Sequence, residues 1–146
     1  MLQYVTNKQF YRRSWLSLLG FSILLESVPK EAEDTFDPEL AHKILGPVAY
    51  DRGFHFFLDP GVYSGETAIS LLTFSLDLET IEMQSIRFHF DRGDFQKWIG
   101  NTLGDEELAN RIDRIVRPIS DDALREQLIA IVKKRLVELE TFHASH

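Results

Sequence analysis

The stretch Asp94-Phe95-Gln96-Lys97-Trp98-Ile99-Gly100-Asn101-Thr102-Leu103-Gly104-Asp105-Glu106-Glu107-Leu108 decides the fold class. Phe95, Trp98, Ile99 and Leu103 recur at i, i+3, i+4 and i+8, the spacing that lines one face of a helix. Asp94 is the expected cap of that helix. Gly104 supplies the left-handed residue that ends helices, and Asp105 caps the next one. Leu108, Ile112, Ile115 and Val116 continue the stripe, with Arg111 and Arg114 outside, until Pro118 breaks it. Ser120 then caps a last helix whose Leu124, Leu128, Ile131, Val132 and Leu139 form one face. Three amphipathic helices joined by tight turns therefore fill the C-terminal half.

Upstream the pattern changes. Gly53-Phe54-His55-Phe56-Phe57-Leu58 is an aromatic run ending at the turn sequence Asp59-Pro60-Gly61, and it reads as a strand. Phe54, Phe56 and Leu58 share one face; His55 and Phe57 share the other. A lone strand leaves backbone donors unpaired, so a hairpin or an intermolecular pairing is implied, with Val48–Asp51 as the partner within the chain. Thr67 to Leu76 has helical spacing through Ala68, Leu71, Leu72 and Leu76. Residues 81–90 fit two patterns: Ile86, Phe88 and Phe90 alternate as in a strand, while Met83, Ile86 and Phe90 fit a helix face. Asp37-Pro38 opens a short helix to about Leu45, closed by Gly46-Pro47. Asn7 can cap a long helix to about Val28, stopped by Pro29. The expected fold is thus α+β and predominantly helical, with a long N-terminal helix, a short aromatic strand or hairpin near 48–58 and a three-helix C-terminal half. One domain over 1–146 is expected, with a helical region at 1–47 and the core at 48–146.

Composition bounds the function. The chain has 146 residues, 44% hydrophobic and 12% aromatic, with 11 Phe against 2 Met, which suits a packed interior. It has no cysteine, so disulfides, thiolate metal sites and Cys nucleophiles are excluded. That composition fits a reducing compartment, and a cytoplasmic location is the expectation. A net charge of −7 argues against nucleic acid, whose phosphates demand a basic surface. Residues 53–92 hold only Arg87 and Arg92 against six acids, and residues 93–146 carry 8 basic and 10 acidic side chains. The helix-turn-helix look of residues 94–116 invites a DNA-binding reading, but Asp105-Glu106-Glu107 puts acids where a recognition helix would meet phosphates. The run Trp15–Leu25, behind Lys8, Arg12 and Arg13, has the outline of a signal peptide without a clear small-x-small cleavage site. It is too short to span a bilayer, which takes roughly 20 apolar residues. Apolar all round, it reads as a helix enclosed on several sides, by a core or by a second subunit.

The segment Phe88-His89-Phe90-Asp91-Arg92-Gly93-Asp94-Phe95-Gln96-Lys97-Trp98-Ile99, followed by Leu103-Gly104-Asp105-Glu106-Glu107-Leu108-Ala109, resembles a small uncharacterised domain family of archaea and bacteria. Its members have an aromatic strand, a helix, an H…R-x-D-F-x-x-W-I segment and then L-G-D-x-x-L-A. Some are fused to, or encoded beside, carbohydrate-active enzymes. The resemblance spans about Gly53 to Ile115. It implies a compact accessory domain and carries over no catalytic residue.

The densest polar cluster is His89, Asp91, Arg92 and Asp94. On a strand, His89 and Asp91 would share a face and could hold a metal or act as acid and base. A metal needs three or more converging ligands, so the structural account is preferred and no metal or cofactor is expected. His55 would join His89 if their segments are adjacent, making His55, His89, Arg92 and Asp91 the candidate ligand-binding residues. Arg92-Gly93-Asp94 reads as a turn before a cap. The loop Asp59–Thr67 has no basic residue and lacks both phosphate-loop and dinucleotide spacing. No G-x-S-x-G is present. The leading expectation is a non-catalytic interaction or regulatory module with a protein partner, a homodimer first among them. The alternative is a small-molecule binding protein or enzyme whose Phe-lined pocket is addressed by His55, His89 and Arg92.

Overall fold

A computed structural model of the chain describes residues 37–144. The expected helix from Asn7 to Val28 lies outside the described residues. The rest is predominantly helical with one two-stranded antiparallel sheet. Helix α1 (Pro38–Leu45) opens the fold: Asp37 accepts the Glu39 N–H at 2.9 Å, and Pro38 takes the first helical position, where a missing N–H costs nothing. A 3-10 turn (Tyr50–Arg52) leads into strand β1 (Phe54–Asp59), and Pro60-Gly61 turns it into strand β2 (Val62–Ala68). Gly61 has φ +75°, which suits the second central residue of a tight turn behind a proline.

The strand's partner is therefore downstream of it. Val48–Asp51 is not a strand; its Val48 N–H meets the Ile69 carbonyl at 2.7 Å, just beyond the end of β2. Phe54 pairs with Ala68, His55 with Thr67, Phe57 with Tyr63 and Asp59 with Val62. Between the second and third pairs β1 advances two residues while β2 advances four, so Ser64–Glu66 bulges out of the ladder.

Helix α2 (Leu71–Thr80) follows, and it starts later than the Thr67–Leu76 expectation. Ser70 accepts the Thr73 N–H at 3.1 Å while the Thr73 hydroxyl accepts the Ser70 N–H at 3.0 Å, a reciprocal cap. Its buried face is Leu71, Phe74, Ser75 and Leu78; Leu72 and Leu76 point outward and are 54% exposed each. Of residues 81–90, those from Met83 onward resolve as helix: α3 (Met83–Arg92) buries Ser85, Ile86, His89 and Phe90. This removes the shared strand face for His89 and Asp91. Gly93, at φ 71°, ends α3 in the left-handed conformation that L side chains resist.

Helix α4 (Asp94–Lys97) widens without a break into π-helical turns over Trp98–Leu103. Asp94 is not the cap of this helix. Gly93 holds that position, its carbonyl accepting the Lys97 N–H, so Asp94 falls inside the first turn with its carboxylate directed elsewhere. Helix α5 (Glu106–Asp113) starts at Asp105, whose Oδ1 accepts the Leu108 N–H at 3.1 Å. Val116 departs from the expected stripe and is 79% exposed, because α5 ends before it. The last helix, α6 (Asp121–Ala144), follows Ser120, whose hydroxyl accepts the Ala123 N–H at 3.3 Å.

One contiguous cluster of buried apolar side chains runs from Ala41 and Ile44 of α1 through the hairpin to Leu139 of α6. Helix α6 packs against α1, α2, α3 and α5, while α3 lies along β1. Phe54 sits at the aromatic centre, with ring centroids of Phe56, Phe74, Phe95 and Trp98 within 5.6 Å. Among the described residues no helix is long and apolar enough to cross a membrane.

Candidate functional site

Packing α3 against β1 brings His89 under the aromatic strand. The ring is 4% exposed and both nitrogens are engaged. Its Nε2 lies 2.8 Å from the Phe57 amide, which can only donate, so Nε2 is the acceptor. The proton then sits on Nδ1, which donates to Asp94 Oδ2 at 2.8 Å. Burial pushes the imidazole's pKa below its ordinary value, against the opposing pull of Asp94's hydrogen bond and charge, while Arg92 lowers it further. His89 is a neutral pin that closes the outer edge of β1. Gln84 does the same one residue on, donating Nε2–H to the Leu58 carbonyl at 3.1 Å. Neither ring nitrogen of His89 is free for a proton transfer or a metal.

Arg92 sits at the last turn of α3. Its Nε donates to Asp94 Oδ2 at 3.1 Å, and its guanidinium carbon stands 4.9 Å from the centroid of the Phe88 ring. Asp91 lies apart, 4.0 Å from Arg87 and 3.9 Å from Arg117, and does not join the cluster. His55, His89, Arg92 and Asp94 do line a common cleft, of about 470 Å³ and open to solvent, between the hairpin and α3. Phe57, Pro60 and Phe88 supply its apolar walls.

Beside that cleft stands a group the sequence reading did not single out. Tyr50 and Tyr63 are 63% and 42% exposed, and their hydroxyls lie 3.3 Å apart. Thr67 Oγ1 lies 2.6 Å from the Tyr63 hydroxyl, 3.4 Å from that of Tyr50 and 2.8 Å from His55 Nδ1. The hydrogen bonds from Thr67 and Tyr63 lower the Tyr50 pKa. The rings also meet: Tyr50 and Tyr63 each approach His55 edge-on, and Tyr63 approaches Phe57. The hairpin register and the 3-10 turn ahead of it bring these residues together, and the register depends on a bulge that no local motif announces.

Among the described residues no group of three or more His, Asp or Glu is placed to hold a metal ion. The arrangement can offer aromatic faces, hydroxyl tips and a guanidinium to something that binds. It also sets the Thr67 hydroxyl 2.8 Å from His55 Nδ1. Comparison with protein-family models, with curated proteins and with solved structures finds no match for this chain.

Proposed function

We propose that this chain is a non-catalytic interaction module that receives a protein partner on the outer face of its hairpin. The observation that carries this reading is the exposed Tyr50–Tyr63 pair, fixed by hydrogen bonds to each other and to Thr67. Tyrosine gives large amphipathic contact area at a small entropy cost, and here part of that cost is met before any partner arrives. The full commitment of His89 favours binding over catalysis in the same region. The resemblance to an uncharacterised domain family, some of whose members accompany carbohydrate-active enzymes, supports the same reading. A second copy of the chain is one candidate partner, a reading that the apolar run Trp15–Leu25 supports, and a cytoplasmic setting fits the absence of cysteine. DNA binding is set aside on charge: α5 begins with Glu106 and Glu107, and its Arg111 is held by Glu107 and Glu138.

The test is affinity purification of the full chain from its own cells, as wild type and as the Tyr50→Ala/Tyr63→Ala variant. At an unchanged melting temperature, the variant should lose a protein that the wild type retains. Identical sets of co-purifying proteins would sink the proposal. Light scattering on both chains separates a second copy from a different partner, since only self-association changes the mass of the purified protein.

A further inference from the structure

The cleft next to the tyrosine pair has a chemistry of its own. Three of its polar groups are committed internally: both nitrogens of His89 and the Nε of Arg92. The two terminal nitrogens of Arg92 make no hydrogen bond to a described residue, and that side chain is 57% exposed. Yet the guanidinium is not loose. Asp94 holds one edge at 3.1 Å and the Phe88 ring stands 4.9 Å away, which restricts its orientation before a ligand comes. A guanidinium has donors only, and its free fork fits two acceptor atoms in one plane. A carboxylate has that geometry.

Charge narrows the class further. Asp94 shares the cleft, and its Oδ2 already takes both the Nδ1–H of neutral His89 and the Nε–H of Arg92. Its charge offsets that of Arg92, so the cleft offers one planar fork and no surplus of positive charge to hold a dianion. The remaining walls are apolar, and about 470 Å³ is within the range that holds small organic ligands.

We propose that this cleft binds a carboxylate carried on an apolar body, with the carboxylate on the terminal nitrogens of Arg92 and the body against Phe57, Pro60 and Phe88. The carboxylate can belong to a free organic acid or to a partner's chain. The proposal rests on reading this face as a binding surface and names the chemistry of its cleft end.

The experiment is an NMR titration of the full chain with 3-phenylpropionate, with 3-phenylpropanamide and with acetate. The first should shift the Phe57, Gly61 and Phe88 resonances saturably. The amide, and the Arg92→Gln variant with the acid, should each bind about tenfold more weakly, the size of one charge-assisted hydrogen-bonded pair. Arg92→Lys should lose most of that factor as well, because it keeps the charge and not the fork. A chain-borne source predicts tighter binding of a short peptide ending in Phe than of the free acid; the reverse order assigns the site to a free acid. Three results would overturn the proposal: acid and amide binding equally, shifts lying elsewhere on the molecule, or acetate binding as well as the acid, which means an adventitious ion only. The ligand comparisons need no mutant to fold. Loss of a partner by the Tyr50/Tyr63 variant, with no acid bound in the cleft, would remove this proposal and leave the docking face.

Discussion

His89 carries more of the local structure than its single side chain suggests. Truncating it to alanine leaves the Phe57 amide without its acceptor, takes a donor from Asp94 and opens a void among Phe54, Phe56 and Phe95. An unmet, part-buried amide plus a cavity predicts a loss of about 3 kcal/mol for His89→Ala, read from urea unfolding. The imidazole also gives stability a pH dependence of known sign. Its folded pKa lies below the unfolded value of about 6.5. The unfolded chain therefore binds the proton more readily, and the stabilisation is complete above that value and lost as pH falls through the folded one. Wild-type stability should fall between pH 7.5 and 5.5 by more than that of His89→Ala; parallel profiles would refute the assignment of a neutral, doubly bonded ring. The sequence marks His89, Arg92 and Asp94 as a polar cluster because they are close along the chain. It does not reveal that His89 is fully committed, since its Phe57 partner is 32 residues away.

At the scale of elements, what local chemistry specifies is legible and what register specifies is not. Asp37-Pro38, Gly104-Asp105 and Ser120 mark their helices through caps that need only neighbouring residues. Helix α2 misleads because Leu72 and Leu76 have helical spacing and lie on its exposed face, while the true cap is Ser70 paired with Thr73. Strand β2 lacks alternation since the bulge at Ser64–Glu66 shifts its pleat. That bulge, with the Gln84 and His89 caps on β1, also makes both sheet edges poor templates for another strand. Elements are further tied by one buried charge pair: Arg135 of α6 grips Asp105 with Nε to Oδ2 at 2.8 Å and NH2 to Oδ1 at 2.9 Å. Both side chains are nearly sealed from water. Arg135→Met alone should cost about 3 kcal/mol, because it strands a buried carboxylate. Adding Asp105→Ser keeps a helix cap and removes the stranded charge, so the double variant should recover part of that loss. A urea-denaturation cycle measures it, and a double variant as unstable as the sum of the two singles would contradict the account.

At the largest scale the described residues are organised around α6, which packs against α1 before the hairpin and against α2, α3 and α5 after it. The three-helix C-terminal half read from the sequence is present, but it does not form a core of its own. Its Leu124, Leu128 and Val132 belong to the same buried cluster as Phe56 of the hairpin and Ile44 of α1. Trp98 makes the link polar as well, its indole N–H donating to the Arg52 carbonyl at 2.9 Å just before β1. A contiguous core predicts one cooperative transition in which hairpin and helices melt together. Leu128→Ala tests this from the side remote in sequence from the aromatic cluster. Removing a fully buried leucine should cost about 3 kcal/mol. Near-ultraviolet circular dichroism follows the packed aromatic rings, and far-ultraviolet dichroism follows the helices. Both signals should move to the same lower midpoint in the variant. If the aromatic signal kept its wild-type midpoint while the helical one fell, the hairpin would have its own stability, and the proposed docking face would not depend on the helical half that supports it here.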